Sequence, residues 1–110
     1  MKRNVVLRDV HDNLGSRYLA ASFTPEGNIK IEGQDLGAGV EQVFGEGIRE
    51  YEWVWVVKAA HIPALEQALG KPEDVLESLK TRFSGDQAAL LKKFLDDQNI
   101  PLDVWSRLGD

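Results

Sequence analysis

Cysteine is absent from this chain, so disulfides, thiol nucleophiles and thiolate metal sites are all excluded. Long apolar runs are missing too. The longest uninterrupted one, Trp53 to Val57, falls far short of the roughly 18 residues that a membrane-spanning helix needs. Basic residues are in the minority, 13 against 18 acidic ones, which leaves a formal net charge of −5. An acidic field repels phosphate backbones and anionic lipid and draws in basic partners. The same charge also keeps small domains soluble. The expectation is a chain that engages neither nucleic acid nor membrane. Met1-Lys2-Arg3-Asn4 lacks the basic-then-apolar pattern of a secretory leader, and with the missing cysteines this points to the cytoplasm.

What is present suffices for one core. At 110 residues, 43% hydrophobic and 28% charged, the chain reads as a single domain spanning 1–110. Its first third reads as a meander of three antiparallel strands. Val5, Val6 and Val10 supply β-branched residues before the turn formers His11-Asp12-Asn13-Leu14-Gly15-Ser16. Leu19, Ala21 and Phe23 then share one face, Pro25-Glu26-Gly27-Asn28 forms a turn, and Ile29-Lys30-Ile31-Glu32 alternates. Between Gly33 and Gly47 five glycines punctuate the chain, and Val40, Val43 and Phe44 predict one or two helical turns laid over the sheet. A fourth strand follows, with Tyr51, Trp53, Trp55 and Val57 on one face and Glu52, Val54, Val56 and Lys58 on the other.

Beyond Ala59 the apolar period changes from 2 to about 3.6. Pro63 suits a helix start and Gly70 its stop, with Leu65, Ala68 and Leu69 as the stripe. Pro72 opens a second helix with Glu73 and Asp74 in its first turn and Leu76, Leu79 and Phe83 facing inward. Ser84-Gly85-Asp86-Gln87 has the form of a capping box ahead of Ala88, Leu91, Phe94 and Leu95. Asn99 would close that helix in the left-handed conformation, with Pro101 forbidding continuation. Leu102, Trp105 and Leu108 recur at spacing three, which predicts a last short helical piece packed on the sheet. The expected fold is α+β: a four-stranded, mainly antiparallel sheet (strands about 4–10, 18–24, 28–33 and 50–58) with three C-terminal helices on one face. The helical stripes need an apolar sheet face to cover, so Tyr51, Trp53 and Trp55 are expected in the core.

Motifs for chemistry are few. Gly37-Ala38-Gly39 and Gly45-Glu46-Gly47 each begin a G-x-G-x-x-G, but the third glycine positions hold Gln42 and Glu50. Surrounding Asp35, Glu41, Glu46 and Glu50 would repel a phosphate, so turn permissiveness explains these glycines better. His11-Asp12 resembles the pair used by some metal phosphohydrolases, yet His61 is the one other histidine and further ligands are wanting. An Asp-rich calcium loop at Asp9 fails at its third position, His11. A hairpin-turn role for Asp12 and Asn13 is the better account. No G-x-S-x-G occurs, and no serine has a histidine nearby in sequence. The carboxylate pairs Glu50/Glu52 and Asp96/Asp97 read as surface charge. No metal and no cofactor is expected.

Ile31-Glu32-Gly33-Gln34-Asp35-Leu36-Gly37 followed by Glu50-Tyr51-Glu52-Trp53 resembles a pattern of small uncharacterised bacterial proteins. In these a G-Q-D-L-G segment precedes an acidic-Tyr-Glu-aromatic strand, and the helical half ends much like Phe94-Leu95-Asp96-Asp97-Gln98-Asn99-Ile100-Pro101. The likeness runs from Ile29 onward, with Gly33–Gly37 and Tyr51-Glu52-Trp53 as its most specific parts. It implies a bacterial cytoplasmic source and a compact domain, and it carries no activity or catalytic residues.

Charge and missing catalytic motifs favour a non-catalytic protein-binding module that captures a basic partner, in the manner of a toxin-neutralising immunity protein. The alternative is a small enzyme or ligand-binder using carboxylates around the Gly33–Gly47 connector. Candidate binding residues on these two readings are Asp35, Glu41, Glu46, Arg49, Tyr51 and Trp53. Homodimerisation through the sheet is compatible with either.

Overall fold

The computed structural model describes residues 4–109; Met1-Lys2-Arg3, on which the leader reading partly rests, lies outside them. The chain order is β1 (Asn4–Asp12), β2 (Gly15–Phe23), β3 (Ile29–Leu36), α1 (Ala38–Phe44), β4 (Glu50–Val57), α2 (Ile62–Ala68), α3 (Val75–Arg82), α4 (Leu91–Asp97) and β5 (Asp103–Gly109). Short 3₁₀ turns at Ala59–His61 and Gly85–Leu90 lead into α2 and α4. No described helix is long and apolar enough to cross a membrane. The architecture is α+β, as the sequence predicts, but the sheet has five strands rather than four and the helices number four rather than three.

The strands lie in chain order, every neighbouring pair antiparallel. One transverse row runs Val5, Ala21, Ile31, Trp55 and Val104, and another carries Leu19, Gly33, Trp53 and Ser106. Side chains alternate across a pleated sheet, so these rows share one face. That face takes the helices: Leu65, Leu69, Val75, Leu76, Leu79, Phe83, Leu91 and Leu95 bury against Leu7, Leu19, Ile29, Ile31, Trp53 and Val57. Tyr51 and Trp55 pack half-buried at its margin, so the aromatic strand is core, as expected. The Trp53 ring lies directly over Gly33, where an added Cβ would fall 2.1 Å from Cζ2. No other residue type fits beneath that indole.

Local signals act where they were read. Gly70 (φ 84°) and Asn99 (φ 56°) end α2 and α4 in the left-handed region. The six-residue rings Lys71 N–H to Glu66 C=O and Ile100 N–H to Leu95 C=O close both ends, with Ile100 buried. One helix start is displaced: Pro72 does not open α3, which begins at Val75, and Asp74, expected in the first turn, instead caps it through its carboxylate on the Glu77 N–H at 3.2 Å. Asp12 accepts the Leu14 N–H at 2.9 Å, the turn role expected of it.

Three readings fail. Leu102, Trp105 and Leu108 do not form a helix; Asp103–Gly109 is the edge strand β5. The outer edge of β4 has backbone groups to satisfy, and Val104-Trp105 is a good strand pair. Consequently Trp105 is 52% exposed rather than packed on the core. Ser84 makes no side-chain capping bond, because the chain enters a 3₁₀ turn in which Gln87 N–H bonds the Ser84 carbonyl. In α1 Val40 is buried and the Phe44 ring lies 5.1 Å from that of Tyr51, but Val43 points away and is 76% exposed.

Candidate functional site

The face of the sheet opposite the helices is bare. Its side chains are Asn4, Val6, Asp9 and His11 from β1; Ser16, Tyr18, Ala20 and Ser22 from β2; Lys30, Glu32, Gln34 and Leu36 from β3; Glu50, Glu52, Val54 and Val56 from β4; and Asp103, Trp105 and Arg107 from β5. Two rows define its centre. Tyr18, Gln34, Glu52 and Arg107 lie side by side, and next to them Ala20, Glu32, Val54 and Trp105. Between the rows lies a groove of about 320 Å³ lined by Tyr18, Glu32, Gln34, Glu52, Val54 and Trp105, floored by backbone at Gly33 and Trp53.

The groove has two aromatic walls and two carboxylates. Glu52 is fixed from both sides: Gln34 Nε2 donates to its Oε1 at 3.2 Å, and Arg107 Nη2 donates to the same oxygen at 3.2 Å. Arg107 also reaches Glu50 Oε1 at 2.6 Å. Interaction between the adjacent Glu50 and Glu52 carboxyls pushes Glu50 up and holds Glu52 down, with Arg107 adding to the lowering of Glu52. Glu52 is thus the member of the pair that keeps its charge to lower pH. Glu32 is paired with Lys30 at 2.9 Å. Across the whole face the acids Asp9, Glu32, Glu50, Glu52 and Asp103 outnumber the bases Lys30 and Arg107. Carboxylates beside the half-buried Tyr18 and exposed Trp105 rings suit a cationic group, which gains from both the charge and the ring faces. Among the described residues no group of three or more His, Asp or Glu side chains is placed to share a metal ion.

The six residues proposed from sequence do not converge. Tyr51 and Trp53 stack at 4.9 Å on the covered face. Asp35 shares that face, 3.9 Å from Arg8; burial pushes its carboxyl up against the pull of Arg8 and Arg17. A bulge between Val6 and Arg8 is what sends Arg8 there, since it turns Leu7 and Arg8 to the same side. Glu41 and Arg49 are ion-paired to each other, and Glu41 also accepts the Gly47 N–H, so both act as ties of the α1–β4 connection. Glu46 sits exposed in the turn beyond α1. A second cavity of about 290 Å³ beside α1 takes in Asp35 and Arg17 among apolar neighbours, but not Glu41, Glu46 or Arg49.

The residues of the open groove were partly within reach of the sequence. Glu32, Glu52 and Val54 fall on the polar face of predicted strands. Gln34 was hidden because β3 continues to Leu36 instead of ending at Gly33, and Trp105 because β5 was read as helical. No protein-family model, no curated protein and no solved structure matches this chain.

Proposed function

We propose that this protein is a binding module that captures a basic protein partner on the open face of its sheet. The observation that supports the reading is the groove in which Glu32 and Glu52 lie between the rings of Tyr18 and Trp105. An arginine or lysine of the partner enters between the rings and meets the ionised Glu52; the net charge of −5 speeds encounter with a cationic surface. Charge-balanced capture of this type fits an immunity-like role, in which a cationic protein is neutralised by being held. Gln34 and Arg107 hold Glu52 in place before the partner arrives, which lowers the ordering cost of binding.

The test is titration with an arginine-rich peptide, followed by tryptophan emission and calorimetry, in low and in physiological salt. Binding should weaken with added salt, and Trp105→Ala and Glu52→Gln should each reduce affinity by about tenfold or more, the effect of one lost buried or charged contact. Equal affinity for a neutral peptide of the same length contradicts the reading. So does affinity capture from a bacterial lysate that recovers only acidic partners or none.

A further inference from the structure

The two edges of the sheet are finished differently. β1 carries the bulge between Val6 and Arg8, and α3 and the 85–90 turn pack against it. Bulges and covering elements are devices that stop a sheet edge from pairing with another chain. β5 has neither. It pairs with β4 in unbroken register, and β4 is the one element that packs closely on it. Val104, Trp105 and Leu108 on this strand are 61%, 52% and 47% exposed.

The backbone phase of β5 can be fixed. Gly37 donates its N–H to the Arg49 carbonyl at 2.8 Å, continuing the β3–β4 ladder. Odd-numbered residues of β4 therefore bond to β3. Glu50, Glu52, Val54 and Val56 bond the other way, to Gly109, Arg107, Trp105 and Asp103. What remains on the outer edge of β5 are the N–H and C=O groups of Val104, Ser106 and Leu108.

We propose that β5 pairs antiparallel with β5 of a second copy of this chain, about a two-fold axis at Ser106. In that register Val104, Ser106 and Leu108 each exchange both backbone bonds with the second copy. Ser106 faces its own counterpart, and Val104 faces Leu108 of the second copy, so two exposed apolar side chains cover each other on the helix side. On the open face Trp105 lies opposite Arg107 of the second copy, a cation–π pairing. Asp103 lies diagonal to the same Arg107, within reach of a charge pair. Glu50 and Glu52 already hold Arg107, which offsets repulsion between the two guanidinium groups near the axis. This strand is complementary to itself under two-fold rotation, and it is this that selects a second copy over an unrelated strand. A shift by two residues would put Trp105 opposite itself, but it would leave Leu108 facing Leu102, which already packs on the core. The proposal does not depend on the groove holding a basic partner.

Sedimentation of the intact protein over a wide concentration series should show the 12.3 kDa chain doubling in mass. Ser106→Pro removes an outward N–H and no bond to β4, so it should abolish the dimer while leaving the circular dichroism spectrum unchanged. Val104→Lys with Leu108→Lys is a second disrupting variant with no backbone change. Because the chain has no cysteine, single introduced thiols read the register. Ser106→Cys places two Cα atoms at about 5.5 Å, within disulfide range, and should cross-link on mild oxidation, whereas Trp105→Cys should not. A mass that stays monomeric at every concentration overturns the proposal. So does a dimer that survives both disrupting variants, or preferential cross-linking through Trp105→Cys.

Discussion

Two residues show how little room the covered face leaves. Gly33 lies under the Trp53 indole, with the ring where a Cβ would go. Gly33→Ala must displace that ring from a core in which Trp53 is 7% exposed and stacked on Tyr51. Overpacking of this kind costs about 1–3 kcal/mol, read as a lower urea midpoint, and an unchanged midpoint would contradict the packing described. Asp35 gives a pH signature. Burial raises its carboxyl above the ordinary value, so the native state holds that proton more tightly than the unfolded chain does. Its contribution to stability is therefore fully present below the unfolded value, about 3.9, and is lost as pH rises through the native value. Asp35→Asn removes this term. The stability of the variant relative to the wild type should rise as the pH is raised from below the unfolded value through the higher native one, a comparison made by thermal melts at each pH. A relative stability that falls over that window would mean that Arg8 and Arg17 outweigh burial.

At the scale of elements, the legible parts of the fold are those where a local signal and the tertiary environment ask for the same thing. The stripes Leu65/Leu69, Leu76/Leu79/Phe83 and Leu91/Leu95 all bury, and Gly70 and Asn99 stop their helices in the conformation their side chains permit. The strand Glu50–Val57 puts its aromatic face inward because three helical stripes need a surface to cover. β5 was illegible because its decisive partner, the outer edge of β4, is far away in sequence; spacing three between Leu102, Trp105 and Leu108 imitates a helix when that edge is not in view. The same error concealed the candidate site. Once β5 is a strand, Trp105 and Arg107 move onto the open face beside Glu52, and the acidic residues of the glycine-rich connector lose their claim. Glu41 and Arg49, which a search for loose charges singles out, turn out to satisfy each other. Charge alone marked the protein as a candidate for basic partners. The place proposed for such a partner depends on strand register.

For the whole molecule, the sheet is built in two stages of very different reach. β1, β2 and β3 follow one another through tight turns, and β4 joins after the α1 connection. β5 returns only after the segment 58–102, which contains α2, α3 and α4. Closing that long loop costs entropy, and β5 offsets little of it by burial, since nearly all its residues are exposed. β5 should therefore be the first strand to open, in a local transition cheaper than global unfolding. Hydrogen exchange resolves this residue by residue because the backbone phase of β4 is known. The N–H groups of Glu52, Val54 and Val56 point to β5 and should exchange faster than those of Trp53 and Trp55, which point to β3. An even level of protection along β4 would mean that β5 opens only with the whole domain. The outer edge supplies the complementary reading. In the monomer the Val104, Ser106 and Leu108 amides face water, and their exchange should slow as concentration rises, with the β5-facing amides of β4 slowing alongside them, because pairing with a second copy holds β5 down from its far side. In Ser106→Pro that slowing should vanish while the alternation between Trp53 and Val54 remains. One strand thus carries both the pairing expected to open first and the uncovered edge proposed for a second copy, and the two are linked: whatever binds the edge of β5 also steadies Trp105 and Arg107 at the rim of the groove.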